Sequence, residues 1–322
     1  MPEDRNPDPF HAGEIAVQTR AGVAERAAIM GSRMIRPVLI DQHREFYGEL
    51  PFLALGTTDA VGNPWASLVF GEPGFLTSPD ERSLHVAARP VEGDPLASNL
   101  KEGADIGVLG MQLESRRRNR MNGTLADITQ DGFSIDVLQS FGNCPKYIQT
   151  RSVRSVTPNV SSVQSTTTFD AAARDLIAKA DTLFIATAWR DADGPANQGA
   201  DVSHRGGKPG FVRVLDEASF VFPDFPGNNA YNTLGNLELN PRAGFLFADF
   251  ERGDILTMTG TTEIIWDGPE VDAFAEAQRL IKFQATRIHR IVGGLGLSTQ
   301  YGEPSPFLQK TGAWPPASPK AA

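Results

Sequence analysis

The chain is short of the features that announce most enzyme and binding classes. One residue of 322, Cys144, is a cysteine, which excludes an intrachain disulfide framework and gives no sign of an oxidising compartment. Basic residues are outnumbered, 30 Lys and Arg against 39 Asp and Glu, and a net charge of −9 argues against general nucleic-acid binding, which needs a basic face. No apolar run reaches the roughly 18 residues of a membrane helix, and the polar, proline-rich residues 1–10 lack the basic and apolar regions of a signal peptide. The expectation is a soluble cytoplasmic protein with no membrane or nucleic-acid partner. Also missing are G-x-S-x-G, H-E-x-x-H, a Walker loop and a G-x-G-x-x-G after a strand. The five histidines, at 11, 43, 85, 204 and 289, are too scattered to suggest a metal site.

What is present is a repeat. Ser67-x-x-x-Gly71-x-Pro73-Gly74-Phe75 returns 136 residues later as Ser203-x-x-x-Gly207-x-Pro209-Gly210-Phe211. A second block, Asn99-Leu100, Gly107, Leu109, Glu114 and Gly123-Thr124, recurs as Asn236-Leu237, Gly244, Leu246, Glu251 and Gly260-Thr261, each 137 residues on. Two copies of one domain fold like a homodimer in one polypeptide, and a ligand held at a dimer seam is expected between the halves.

Each copy reads as short strands. Phe52 to Thr57, a turn cluster from Asp59 to Pro64, and Trp65 to Val69 make a β-hairpin; Leu183 to Thr187 and Asp201 to Ser203 repeat it across a longer connection. Further strands are expected at Ser83–Ala87 and Ile106–Leu109, and at Ser219–Phe222 and Ala243–Phe247. A short helical segment falls between each pair, over 95–101 and 230–239. Phe133 to Phe141 alternates with the period of a half-buried strand, and Ile281 to Ala285 is its counterpart. This pattern predicts a mainly β protein of two tandem small barrels. The expected divisions are a helical arm over 1–40, a degenerate first barrel over 41–154, a linker and helix over 155–180, a cofactor-binding second barrel over 181–292 and a tail over 293–322.

Three segments carry candidate chemistry. Pro223-Asp224-Phe225-Pro226-Gly227-Asn228-Asn229 leads from a strand into a helix, with Asn228 and Asn229 where a cap is expected and Asn232 and Thr233 in the first turn. Free N–H groups at a helix start attract phosphate, although a plain turn with its cap reads the same way. Arg205 and Arg213 bracket the neighbouring Gly-rich turn. In the first copy, a rising strand would set Arg116, Arg118 and Arg120 on one face, where three like charges call for an anion or carboxylates; a basic edge that blocks strand pairing is the alternative. The matching segment of the second copy, Gly253 to Thr257, has no basic residue, so the copies have specialised. In Asn143-Cys144-Pro145-Lys146, Lys146 suits a phosphate, and Cys144 is read as a structural thiol.

With these residues in view, the chain resembles the flavin-binding split-barrel proteins related to pyridoxamine 5′-phosphate oxidase, in particular a predicted flavin-nucleotide-binding subgroup. The matching words are Asp201-Val-Ser-His-Arg-Gly-Gly-Lys-Pro-Gly-Phe-Val-Arg-Val-Leu215, Phe222-Pro-Asp-Phe-Pro-Gly-Asn-Asn229 and Asn240-Pro-Arg-Ala-Gly244. They cover the second copy almost completely, whereas the first keeps only the skeleton. The resemblance implies two split barrels forming an intrachain pseudo-dimer, with FMN at the seam. Carried over by position, Arg205, Arg213, Asn228, Asn229, Asn232 and Thr233 would serve the phosphate and ribityl side. The backbone of Val214, Leu215, Pro223 and Asp224 would line the flavin. In that family the barrel that completes the site contributes residues five and three before the hairpin-closing glycine, which here are Arg118 and Arg120 before Gly123. The Val91–Asp94 segment replaces the P-G-N-N turn in the first copy, so one site per chain is expected. The implied function is an FMN-dependent oxidoreductase acting on a small-molecule substrate or electron acceptor, with NAD(P)H or a separate reductase as donor. The alternatives are a flavin storage or relay module, or a barrel holding deazaflavin or haem. Vitamin B6 oxidation is not supported, and pairing into a homodimer is left open.

Overall fold

The computed structural model describes residues 9–314 apart from 158, 192–193 and 196, so most of the proline-rich start and the last eight residues lie outside the described residues. Three helices come first, α1 (Ala12–Arg20), α2 (Ala24–Met34) and α3 (Asp41–Gly48). The first repeated unit follows as β1 (Phe52–Thr58), β2 (Pro64–Phe70), β3 (Leu76–Thr77), β4 (Ser83–Val86), α4 (Leu96–Asn99), β5 (Asp105–Gln112), β6 (Arg117–Ile128) and β7 (Phe133–Gly142). After β8 (Arg151–Val156), β9 (Ser162–Thr166) and α5 (Ala171–Lys179) the plan recurs. It runs through β10 (Thr182–Trp189), β11 (Gly199–Gly206), β12 (Arg213–Val214), β13 (Ser219–Asp224), α6 (Asn232–Leu239), β14 (Arg242–Ala248), β15 (Ile255–Ile265), α7 (Pro269–Asp272) and β16 (Arg279–Val292). β17 (Leu297–Tyr301) and a 3₁₀ turn at Pro306–Lys310 end the described chain. No helix among the described residues is long and apolar enough to cross a membrane.

The two large sheets are antiparallel and have one strand order. The first runs β2-β1-β5-β6-β7-β4-β3 and the second β11-β10-β14-β15-β16-β13-β12, which is the same path with every strand replaced by its repeat partner. Even the irregularities recur: the long hairpin slips register at Asn122/Gly123 in one copy and at Thr259/Gly260 in the other. The repeated Gly-x-Pro-Gly-Phe word has a local cause. Phe75 N–H bonds to Glu72 C=O and Phe211 N–H to Lys208 C=O, closing turns with proline second and a positive-φ glycine third (Gly74 +101°, Gly210 +88°). Phe75 and Phe211 then fold back onto Gly71 and Gly207, where a Cβ would lie 2.3 and 2.2 Å from the ring.

Alternation along the hairpin strands divides the apolar residues among three cores. Leu53 and Leu55 of β1 face the first barrel's interior, and Leu183 and Ile185 of β10 face the second's. The residues between them, Phe52 and Ala54, Phe184 and Ala186, meet in a third cluster that belongs to both copies. Both faces of these strands are therefore buried, which is why they read as unbroken apolar runs. Each fully buried side chain of this kind contributes about 1.5–3 kcal/mol, so separating the halves would expose a core rather than a surface.

The seam is also close-fitting. A Cβ on Gly107 would lie 2.6 Å from Asp201 Cα, and one on Gly244 would lie 2.6 Å from Trp65 Cα. These are the same contact seen from either side of a pseudo-twofold axis, since Gly244 repeats Gly107 and Asp201 repeats Trp65.

Two expectations change. The segment 155–168 holds the end of β8 and the whole of β9, and β9 extends the second sheet by pairing with β16. Beyond 293, β17 pairs with β8 in a two-stranded ribbon. Both segments are Ser/Thr-rich because they are edge strands, with β9 exposed along its length, and that composition resembles a linker when read locally. We expect Gly107→Val to cost about 2 kcal/mol or more through forced separation at the seam. Gly48→Ala, whose added Cβ would meet only Leu76 O at 3.9 Å, should be neutral or stabilising, and urea denaturation midpoints of the two variants measure the difference.

Candidate functional site

β6 of the first copy crosses the seam beside β11 and the start of α6. Arg120, on β6, is buried and spends its guanidinium on the second copy. It donates to Asp201 Oδ2 at 2.6 Å, to Val202 C=O at 2.8 Å, to Asn232 Oδ1 at 2.9 Å, and to Ser203 Oγ. Burial pushes the Asp201 carboxyl up, and the Arg120 guanidinium opposes that shift. Ser203 and Thr233 hydroxyls share a 2.8 Å bond behind the same group. Arg120 is thus a strut whose donors are committed.

Arg118, two residues back on the same strand face, is differently placed. Its Nε donates to Cys144 C=O at 2.6 Å and an Nη lies 3.4 Å from His204 Nδ1, which leaves the other Nη uncommitted among the described residues. Burial, then the like charge of Arg205, pushes its guanidinium down from the usual value; Cys144 opposes this and Arg120 adds to it. Burial and the charges of Arg118, Arg205 and Arg151 hold His204 well below the usual imidazole range. Since Arg118 donates to Nδ1, the neutral ring carries its proton on Nε2, which is buried with no partner among the described residues. Arg205 lies 3.4 Å from Asp224, whose other oxygen accepts from Arg279 at 3.0 Å. Lys146 Nζ stands 5.2 Å from the Phe307 ring centroid and makes no ion pair among the described residues.

The strand-to-helix turn is tighter than the sequence suggests. The helix-capping residue of α6 is Tyr231, not Asn228 or Asn229, and it gives no side-chain cap bond. Asn229 (φ +62°) and Tyr231 (φ +60°) are both left-handed, a conformation asparagine tolerates and tyrosine seldom adopts. Asn228 reaches across the seam instead, donating to Asn143 Oδ1 at 2.8 Å.

Together these groups line an inner chamber of about 90 Å³ that holds Arg118, Arg120, Lys146, Arg205, Pro223, Asp224, Asn228, Asn229 and Thr233. An outer cleft of about 640 Å³ shares its wall at Arg118, Asn143, Cys144 and Gly227–Asn229. Five expected residues do not line the chamber. Arg213 stacks on Trp314 at 4.3 Å and pairs with Glu270, while Val214 and Leu215 lie beside it on the same edge. Asn232 sits behind the wall, held by Arg120. Arg116 leaves the strand face altogether: it is a left-handed turn residue whose guanidinium bonds the carbonyls of Ile148, Glu303 and Pro304.

The first copy answers the same place with a carboxylate. Asp94 Oδ1 accepts from Leu96 N–H at 2.9 Å, at the start of α4, and from Ser67 Oγ at 2.5 Å, and Ser67 is the repeat of Ser203. Burial pushes the Asp94 carboxyl up to about 6. Arg120's counterpart is Thr257, whose hydroxyl bonds Ala66 C=O at 2.8 Å, the repeat of the Val202 contact.

Sequence reasoning missed the part played by the arm. α1 lies on α6 at glycine distance, with a Cβ on Gly13 placed 2.1 Å from Gly235 O. Glu14, buried, accepts from His11 N–H at 2.8 Å and from Asn232 Nδ2, so a chain of bonds runs from the arm through Asn232 to Arg120. The His11/Glu14 capping pair was legible locally, but its partners lie more than two hundred residues away. Burial pushes the Glu14 carboxyl from 4.5 up to about 8. Across that window the folded chain keeps a proton that the unfolded chain has released, so this contribution to stability is complete below it and is lost as pH rises through it. Melting temperature measured from about pH 5 to about pH 9 should therefore fall more steeply in the wild type than in Glu14→Gln, which holds the uncharged form throughout.

Residues 169–290 match the family model for pyridoxamine 5′-phosphate oxidase. No curated protein matches the chain. Among solved structures, a HupZ variant from Group A Streptococcus is 20% identical over 38% of this chain and 98% of its own, at a TM-score of 0.30. A proposed pyridoxamine 5′-phosphate oxidase from Lactobacillus delbrueckii is 15% identical over 38% and 94%, also at 0.30. A conserved Corynebacterium diphtheriae protein of unknown function is 11% identical over 40% and 98%, at 0.26. TM-scores this low decide nothing further. The second repeated unit is a split barrel related to the pyridoxamine 5′-phosphate oxidase family, and the first repeats its strand order.

Proposed function

We propose that the chain binds one FMN at the seam between its two barrels and uses it as an oxidoreductase cofactor. The observation that carries this reading is the meeting of Arg118 and Lys146 from the first copy with Arg205 and the start of α6 from the second around one chamber. Cations and uncapped helix N–H groups form a donor set that suits a phosphate. The family match over the second copy supports the cofactor class. The inner chamber is small, but the outer cleft falls within the roughly 300–1,000 Å³ typical of ligand pockets and gives room for a flat ring.

In this reading Arg205, Lys146 and the Thr233 hydroxyl hold the phosphate end. Arg118 lines both spaces and favours negative charge there. His204, which lines the chamber, is neutral with its proton on Nε2. Arg120 keeps β6 pressed to β11, so Arg118 is delivered at a fixed place. FMN, when bound, supplies the hydride or electron transfer, and the chain supplies position and electrostatics. The opening of the chamber into a larger cleft favours an enzyme over a store, because a second molecule has a way to the same wall. Asp94 and Thr257 leave the pseudo-symmetric position with a built-in carboxylate and no arginine strut.

Purified protein is expected to be yellow, with a two-peaked visible spectrum and about one FMN released per chain on denaturation. Arg118→Ala should weaken FMN binding about 10- to 100-fold, the loss of a hydrogen bond to a charged group. Asn229→Ala should weaken it as well through strain at a left-handed position. A colourless protein that takes up no added FMN would refute the proposal, and NAD(P)H consumption with an acceptor would distinguish catalysis from storage.

A further inference from the structure

The outer cleft has an end that the inner chamber does not share. It is walled by α2, a helix that neither repeated unit contains, by α3 and by the turn entering β6. Arg26, Met30 and Met34 come from α2, Phe46 from α3 and Arg117 from β6. α2 is held there because Ala27 packs with Phe10, Phe141 and Ala230, so the arm bridges β7 of the first copy and the turn before α6 of the second. Among the described residues no Asp or Glu lines the cleft, in a chain with an excess of nine acidic residues.

The cations at this end are also uncompensated. Arg120 and Arg205 have carboxylate partners in Asp201 and Asp224. Arg26 and Arg117 have none within 4.0 Å among the described residues, and Arg117 instead lies over the Phe46 ring at 5.1 Å. The surrounding potential is legible in His43, which lines the same wall: burial, then Arg36 and Arg117, push its imidazole down to about 4, so it adds no positive charge of its own near neutrality. Uncompensated cations beside an apolar floor attract and orient molecules that carry both an anionic head and an apolar body. Methionine floors adapt to varied shapes.

We propose that this end of the outer cleft is the substrate site, and that it takes an organic anion whose apolar body rests on Met30, Met34 and Phe46 while Arg26 and Arg117 meet its carboxylate, sulfonate or phosphate. The term substrate rests on the flavin reading above; the site itself does not.

Two fluorescent probes with the same ring system test it: 8-anilinonaphthalene-1-sulfonate and its uncharged analogue N-phenyl-1-naphthylamine. The full chain should bind the sulfonate about tenfold more tightly than the neutral probe, and the Arg26→Ala/Arg117→Ala double variant should lose most of that preference. Arg26→Lys/Arg117→Lys should retain much of it, which separates lost charge from lost fold. Equal binding of the two probes by the wild type, or an undiminished preference in the alanine variant, overturns the proposal. Flavin content, read separately from the visible spectrum, should be the same in all variants. A colourless protein that still prefers the sulfonate supports the site while removing the flavin reading.

Discussion

The buried pair of Arg120 and Asp201 is the constraint on which the rest of the seam depends. Both side chains are almost fully removed from water, and removing one partner of such a pair typically costs about 3–5 kcal/mol because the other charge is left uncompensated. The pair gives direction to a contact that hydrophobic packing alone would leave free to slide. The third core joins the halves, but Arg120 specifies which atoms of β6 face which atoms of β11. Asn232, Ser203 and the Val202 carbonyl complete its hydrogen bonding, and Glu14 extends the same network into the arm. A cation, a helix start and an N-terminal helix from three parts of the sequence are thereby held in one arrangement.

That arrangement explains why the pseudo-symmetric positions differ in character. On one side the strut is an arginine and the helix start is left uncapped, so the chamber is rich in donors. On the other side a threonine bonds the equivalent carbonyl and Asp94 satisfies the helix start from within the chain. The backbone is nearly the same twice, and the chemistry is decided by a few side chains placed on it.

Much of the fold was legible because its causes are local. Phe52 to Thr57 and Leu183 to Thr187 read as strands from their apolar runs, and Asp59 to Pro64 as a turn. The Gly-x-Pro-Gly-Phe word reappears as the same turn in both copies. Arg118 and Arg120 stood out because the repeat offered an internal comparison that lacked them. The role of each was not legible, since it depends on where Asp201 and Cys144 arrive from elsewhere in the chain. The place of Arg213 was hidden for the same reason: its motif is intact, but Trp314 and Glu270 receive its side chain on the far edge of the sheet. Glu14 and α2 reach the seam only through tertiary contacts that no local pattern encodes, and β9 and β17 were hidden by the polar composition that edge strands need.

The fused seam has a consequence for how such a protein can change. In a dimer of identical chains, any substitution on the strand that crosses the seam is made at both symmetric positions at once, so neither site can be altered without altering the other. Joining the copies removes that coupling. Arg120 and Thr257 occupy equivalent places and have taken different residues, each answered by its own carbonyl, Val202 or Ala66. One side of the molecule is thereby free to keep a demanding set of charges while the other is relieved of them, and the relieved side can serve purely as a foundation.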